Sequence, residues 1–413
     1  MNKVVIIGGG AAGCMAAYMA ADSGAEVVLL ESTPRLMNKV RITGKGRCNL
    51  TNACDAEAFL SHIVHNARFF RSAFARYDNQ WLMQFFEGLG VLLKVERGQR
   101  VFPQSDRAHD IADALASALA ERGVEVLYRT RVKSLVEKQG RIAAVQCEHG
   151  RTVPGDAFIL ASGGLSYPVT GSTGDGYILA QQAGHTIIPL QPSLAPIQVE
   201  QTWVQAVAGL SLKHVCLRAV AAGKQVFCEQ GEMLFTHTGI SGPLALSASA
   251  HLDQQTWRQT KLILDWKPAL EEGQLKQRLI REVQFAPNRE AKTMMFQLVP
   301  KSMAEAMLLL AGIPAHLPCH EMTKQMRAAL INQLKHMEFT VRSVGPMEEA
   351  IVTKGGIQTK EIDPRTMRSK FIQNLYLAGE VLDLDAYTGG YNLQIAFSTG
   401  AAAGIAAAQS ANQ

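Results

Sequence analysis

Apolar and polar positions follow two different periods along this chain, and the periods alternate in a telling order. VVIIG (Val4–Gly8) is a continuous apolar run, the pattern of a strand buried on both faces. GAAGCMAAYMAADSG (Gly10–Gly24) is rich in Ala and stops at a glycine, which predicts a helix. AEVVLLE (Ala25–Glu31) restores the short apolar pattern and predicts a second strand. Strand, helix and strand together predict a βαβ unit on a parallel sheet, hence an α/β fold.

Further along, residues 59–122 read as mainly helical, with a break at RVFPQSDRAHD (Arg100–Asp110). HDIADALASALAERG is an amphipathic helix ended by Gly123. VEVLYR, RVKSLVEK, RIAAVQCE and AFILASGG are short strands with tight glycine turns, a small meander that re-enters the main sheet. From about Pro189 the texture changes. KHVCLRAVAAGKQVFCE and LFTHTG predict strands of a second, antiparallel unit, and Glu271–Met337 is helical. In the last helix there, Met322, Met326, Leu330, Leu334 and Met337 fall on one stripe predicted to be core. Lys324, Arg327 and Lys335 group elsewhere on it. NLYLAGE (Asn374–Glu380) returns to a buried strand. The helix Leu393–Gln409 is apolar but full of Ala, Gly and Ser, which predicts packing on the sheet rather than a membrane anchor.

The turn after the first strand places Gly8, Gly10 and Gly13 in G-x-G-x-x-G spacing. Glycine there permits the tight turn, close approach of backbone to a pyrophosphate, and close helix–strand packing. The helix N-terminus offers unpaired N–H groups to the phosphates. Glu31 ends the second strand, where a carboxylate can accept hydrogen bonds from a ribose. The spacing alone is weak; in this strand–helix–strand setting it is strong.

Composition narrows the classes. The chain has 413 residues, 47% hydrophobic and 19% charged, with 35 Gly, a globular profile. No apolar run approaches the roughly 18 residues of a membrane span. The opening lacks a signal-peptide pattern, so a cytoplasmic protein without membrane partners is expected. The seven cysteines (14, 48, 54, 147, 216, 228, 319) are scattered and form no C-x-x-C, which argues against zinc and against a thioredoxin-like site. No histidine spacing suggests a metal either. The formal net charge is +5, and Lys267–Arg342 holds eleven Lys and Arg against seven Asp and Glu, a net of +4. That segment is either a solvated helical surface or a docking face for a polyanion.

RITGKGRCNLTN (residues 41–52) invites three readings. As a Walker loop it fails, because Lys39 stands where the first glycine is required and Gly46 where Ser or Thr is. As a redox dithiol it fails on spacing, since Cys48 and Cys54 enclose five residues rather than four. A glycine-rich loop beside a cofactor remains.

Taken together, GGGAAG (8–13), TGKGRCNLTN (43–52), RVFPQSD (100–106), ASGGLSYPVTGSTGDGY (161–177), LFTHTGISGP (234–243), VTKGGI (352–357), TMRSKF (366–371) and LAGEVLDLDAYTGGYNLQIAFSTG (377–400) resemble the BaiN/RdsA-like family of bacterial FAD-dependent oxidoreductases. The resemblance covers nearly the whole chain. It implies a glutathione-reductase-type fold: a Rossmann-like FAD-binding domain split between residues 1–190 and 343–413. A β-barrel-like insert would occupy 191–266, with a helical subdomain at 267–342 nested in it. In that family the opening loop reads SGGGRCN, so Thr43 and Lys45 replace the first serine and the middle glycine.

The resemblance also implies cofactor contacts at Gly8, Gly10, Ala11, Ala12, Gly13, Glu31, Lys39, Gly46, Arg47, Cys48, Asn49, Asn52, Val132, Ala161, Ser162, Gly163, Gly379, Glu380, Asn392, Leu393 and Gln394. Glu380 would reach the ribitol or pyrophosphate region of FAD. The helix start at GGYNLQ would face the N1–C2=O edge of the flavin. No second G-x-G-x-x-G unit exists, so NADH or NADPH would bind transiently as electron donor. The implied activity is reduction of an activated C=C bond, hydride coming from flavin N5. The alternative is reduction of uridine to dihydrouridine in ribosomal RNA, docked through the basic helical segment. Candidate proton donors are Cys48, His237 and Tyr391. Lys45 and Arg47 beside Cys48 could lower its pKa; equally, Cys48 could simply fill space.

Overall fold

The computed structural model describes residues 2–410. The chain folds as two compact units, one made of residues up to Ser193 together with those from Met347 on, the other of Leu194–Pro346.

The first unit is built on five parallel strands in the order Leu375–Leu377, Ala157–Leu160, Lys3–Ile7, Glu26–Leu30, Glu125–Leu127. Lys3–Ile7 is central, paired with Glu26–Leu30 on one side and Ala157–Leu160 on the other. Its continuous apolar run is explained by burial on both faces, and Val4, Val5 and Ile6 are fully buried. The strands between Val132 and Pro154 form their own antiparallel sheet before the chain re-enters the main one at Ala157, as the meander pattern predicts.

The helix Ala11–Asp22 packs backbone to backbone on the last helix, Tyr391–Gln409. A Cβ on Gly400 would lie 2.3 Å from the carbonyl oxygen of Ala12, and one on Gly404 2.3 Å from that of Ala16. The small residues of the last helix therefore serve close helix–helix contact as well as sheet packing. Among the described residues no helix is long and apolar enough to cross a membrane. One expectation needs correcting here: the break in the 59–122 helical region opens as a strand, Arg100–Pro103, paired with Thr51–Asn52 and Leu93–Glu96.

The second unit holds a closed six-stranded barrel, in the order Ile197–Val199, Gly239–Ser241, Lys224–Phe235, Ser211–Ala221, Thr260–Asp265, Met337–Val344. Its last strand follows the helices Glu272–Phe285, Ala291–Met295, Lys301–Leu310 and Lys324–Lys335. Residues 191–266 therefore do not close the barrel alone. The apolar stripe predicted for the last of these helices outruns it: Met322 precedes its N-cap Thr323, and Met337 belongs to the closing strand. Met322, Leu330, Leu334 and Met337 are buried as predicted, while Met326 is half-buried.

Candidate functional site

The chain leaves the central strand Lys3–Ile7 toward Glu26–Leu30 on one side and later returns to Ala157–Leu160 on the other. Such a reversal opens a crevice at the carboxyl ends of the two strands, the usual ligand position in an open α/β sheet. Gly8 and Ala161 stand at its two lips. Gly8 takes φ +105°, and a Cβ on it would lie 2.6 Å from Ala161 O. A Cβ on Gly13 would lie 1.8 Å from Gly8 O, and one on Gly9 would meet Leu36 at 2.4 Å. A Cβ on Gly10 would meet nothing within 4 Å. Gly10 is also the N-cap of the first helix and supplies no side-chain cap, so the first-turn N–H groups of Ala11, Ala12 and Gly13 are not capped from it. Three glycines close the turn against protein, and the fourth leaves its open side clear.

Glu31 is buried beside this turn, and its carboxylate accepts from Gly9 N and Thr33 N, both at 2.7 Å. Ala161 N donates to Ile7 O at 2.9 Å, which ties the second lip to the central strand. Gly163 has φ +76°. The Ser162 hydroxyl is buried without a partner, packed toward Gly176, where a Cβ would lie 1.8 Å from it. Val132 is a core residue at the start of its own strand.

A second polar group stands beyond the strand Leu375–Leu377. Lys39 Nζ lies 2.7 Å from Glu380 Oε2 and 2.5 Å from Ser166 Oγ. Glu380 Oε1 accepts from Thr353 N at 2.9 Å and Ser166 Oγ at 3.0 Å. Gly379 (φ +81°) leads into this group, and a Cβ there would lie 2.7 Å from Ala12 Cβ, so only glycine lets the strand end approach the first helix.

The loop RITGKGRCNLTN is a sharp left-handed turn. Thr43 is extended (ψ 152°), Gly44 and Lys45 have φ +58° and +59°, Gly46 has φ +83°, and Cys48 has φ +58°. The Arg47 side chain is engaged within the protein. Its guanidinium donates to Asp106 Oδ1 (Nε at 2.8 Å), pairs with Glu96, and stacks 4.2 Å from the Phe102 ring. Those contacts hold the Glu96 carboxyl below its usual range, and Lys94 followed by Arg47 does the same for Asp106. Cys48 is fully buried, and burial pushes its thiol up to about 12 against a hydrogen bond with Thr43. Neither Lys45 nor Arg47 is among the groups that oppose this rise, and a thiol sealed in the core fits the space-filling reading of Cys48.

Asn49, Asn52 and Gln394 also spend their side chains internally. In the orientation that satisfies its neighbours, the Asn49 amide donates to Thr51 O (3.1 Å) and Val101 O (3.3 Å) and accepts from Gly390 N (3.2 Å). Asn52 donates to Gly98 O at 3.0 Å and Gly389 O at 3.3 Å. Gln394 is fully buried, accepting from Thr51 Oγ1 at 2.6 Å and donating to Tyr77 O at 3.0 Å. Asn392 bonds both N and O of Ala386, and Leu393 is half-buried. These polar residues lace the loop to the start of the last helix. A Cβ on Gly390 would lie 2.4 Å from Thr51 O.

Tyr391 is buried, its ring stacked on His62 (centroids 4.6 Å, 9°) and edge-on to Phe59 at 4.8 Å. It also hydrogen-bonds the Cys54 thiol. His237 lies exposed in the turn between the barrel strands Lys224–Phe235 and Gly239–Ser241, in the second unit.

The sequence patterns miss a polar cluster on LDLDAYTGG. Asp385 is buried and paired with His65, and Asn66 donates to Asp383 Oδ2 at 2.9 Å. Burial raises the Asp383 carboxyl above its usual range. The two aspartates were visible in the sequence, but their partners lie more than 300 residues upstream, and no local signal joins them.

Comparison with known proteins matches the same architecture. The HI0933-like protein Rossmann domain model covers residues 2–406. A 3-dehydro-bile acid delta(4,6)-reductase of Clostridium scindens is 33% identical over 99% of this chain and 100% of its own length. A ribosomal RNA dihydrouridine synthase of Haemophilus influenzae is 30% identical over 96% of each chain. A solved 3-ketosteroid-delta4-(5alpha)-dehydrogenase from Rhodococcus jostii RHA1 shares the fold (TM-score 0.52, 15% identity, 98% of this chain and 97% of that one). The motif resemblance and these full-length matches converge: this chain belongs to the HI0933-like Rossmann family.

Proposed function

We propose that this protein is an FAD-dependent oxidoreductase that takes electrons from NADH or NADPH and reduces an activated C=C bond. The observation that carries the proposal is the Gly8–Gly13 turn at the topological switch point, with Glu31 beside it. This turn fits a dinucleotide: it is sealed against protein at Gly8, Gly9 and Gly13 and clear at Gly10. The backbone of Gly10–Gly13 would hold the pyrophosphate at the helix N-terminus, and Glu31 the ribose hydroxyls. Lys39 and Glu380 would hold the polar middle of the cofactor, and the helix start at Gly390 its ring edge. Bound FAD supplies the hydride that adds to the electron-poor carbon. The chain's own tasks are to bind and orient both molecules, exclude water and hand over a proton.

FAD is favoured over a nicotinamide as the resident cofactor by the second strand-end motif LYLAGE with Glu380 and by the helix start GGYNLQ, and without a second dinucleotide fingerprint NADH or NADPH would bind transiently. Reduction of a C=C bond is favoured because the two relatives described above carry names of that chemistry, a delta(4,6)-reductase and a dihydrouridine synthase. The purified protein is expected to be yellow and to bleach under anaerobic conditions with NADH or NADPH. A colourless protein that does not bind added FAD overturns the proposal.

The second reading is reduction of uridine in ribosomal RNA, favoured by the 30% identical relative and by the net +4 of Lys267–Arg342. Mapping dihydrouridine in ribosomal RNA after deleting the gene decides it. Unchanged modification removes this substrate and leaves the small-molecule one.

A further inference from the structure

His65 meets Asp385 with Nδ1 2.5 Å from Oδ1. Asp385 is 1% exposed, and its other oxygen accepts from Ser193 Oγ at 2.9 Å. The backbone fixes the pairing: Val64 N and His65 N point at Asp385 O (2.9 and 3.4 Å), and Ile63 bridges Ala386. With Nδ1 committed, Nε2 is the remaining nitrogen, and the His65 side chain is 32% exposed where its carboxylate is sealed. A buried, doubly held carboxylate behind an accessible imidazole sets the tautomer and orientation of that ring, as an acid–base pair requires.

Position supports the same role. Asp385 lies on the segment that leaves the carboxyl end of the strand Leu375–Leu377, between Glu380, paired with Lys39, and the start of the last helix at Tyr391. That is the end of a parallel sheet at which ligands bind. The polar groups around the pair are Asp383, which interacts with His65, Asp385 and Lys354, and His62, whose backbone oxygen accepts from Tyr387 N. Cys48 is sealed in the core and Tyr391 is buried under His62, whereas the His65 side chain keeps 32% of its surface exposed.

We propose that His65 is the proton donor of the reduction, with Asp385 and Ser193 as positioning residues. This rests on the flavin reading above. One carbon of the C=C bond takes the hydride, which comes ultimately from NAD(P)H through the bound flavin. The neighbouring carbon takes the Nε2 proton of the His65 imidazolium, so two C–H bonds replace the π bond. The imidazole is left neutral, with Nδ1–H on Asp385, and regains its proton from solvent at its exposed edge.

The test uses the flavin-loaded protein and its His65→Gln and Asp385→Asn variants. Anaerobic bleaching by NAD(P)H is expected to be kept in all three, which shows that they fold and load. Reoxidation of the reduced protein by a Δ4-3-ketosteroid in a single turnover is expected to slow by about 100-fold or more in His65→Gln, the usual weight of a general acid. In 15N spectra of histidine-labelled protein, neutral His65 is expected to carry its proton on Nδ1, and Asp385→Asn to release that preference while changing the pH profile of reoxidation. Reoxidation of His65→Gln at the wild-type rate, or an Nε2–H tautomer in the wild type, overturns the assignment. Failure to bleach would instead count against the flavin reading, and the tautomer readout stands without it.

Discussion

Lys335 Nζ lies 2.6 Å from Asp265 Oδ2 and donates to the backbone oxygens of Lys267 (3.0 Å) and Leu270 (2.7 Å). All three ammonium donors are thus used, in a residue that is buried. The sequence places Lys335 among the cations of a basic helical face, but this one joins a helix end to a barrel strand. Lys292 is likewise paired with Glu305 at 2.6 Å. A polyanion would have to dock on the exposed remainder, such as Lys276, Arg281, Lys301 and Lys324.

Removing one partner of such a buried pair leaves an uncompensated charge and orphaned carbonyls. Lys335→Ala is expected to lose about 3–5 kcal/mol in denaturant unfolding. Replacing both Lys335 and Asp265 by apolar residues of similar size is expected to recover much of that loss. A stability change near zero in the single variant would show that the pair is not structural.

Lys45 has φ +59° and ψ +42°, with its side chain exposed. The left-handed conformation costs a residue with a Cβ about 1–2 kcal/mol. Glycine removes that cost but adds freedom to the unfolded chain. Lys45→Gly is therefore expected to gain roughly 0.5 kcal/mol, and Lys45→Val to lose about 1 kcal/mol or more. Thermal unfolding should rank Gly above Lys above Val. The reverse order would mean that the side chain, not the backbone, governs this turn.

The same loop shows what was legible in the sequence. The Gly8–Glu31 unit is readable because its constraints are local: a period of apolar residues, three glycines at fixed offsets, and a carboxylate at a strand end. The left-handed turn at residues 44–48 is also local, and its glycines announce it. The partners of its polar residues are not. Arg47 turns to Asp106 and Glu96, Asn49 to Gly390, and Thr51 to Gln394, because strands and helices far apart in the chain bring those groups within reach. The strand Arg100–Pro103 was hidden for the same reason, since it pairs with Thr51–Asn52 some 50 residues earlier. The pairing of His65 with Asp385 spans 320 residues.

His185 gives a pH test of the folded state. Its side chain has no exposed surface and sits between Glu361 Oε2 (3.0 Å from Nδ1) and Ser369 Oγ (2.8 Å from Nε2). Burial lowers its pKa from 6.5, more than the nearby Glu361 raises it. The unfolded chain therefore takes up a proton just below pH 6.5 while the folded chain does not. Stability must fall as pH drops from about 6.5 toward the lower folded pKa, and no such loss exists above it. The melting temperature of the wild type is expected to fall across that window, and more steeply than that of His185→Gln. Parallel curves for the two proteins would mean that His185 titrates alike in both states.

Cys48 separates packing from chemistry. It is fully buried with its thiol pushed up to about 12, and the nearby guanidinium of Arg47 is engaged with Asp106 and Glu96. A residue of this kind acts on stability through the volume it fills. Cys48→Ala is expected to lose about 1–2 kcal/mol, as removal of a small buried group does. Turnover of the folded variant should stay within about threefold of wild type, far short of the loss of roughly 100-fold or more that follows removal of a general acid. Unfolding and turnover measured on the same sample distinguish the two roles. A variant with native stability and turnover lowered by two orders of magnitude would return Cys48 to the reaction and displace His65 from it.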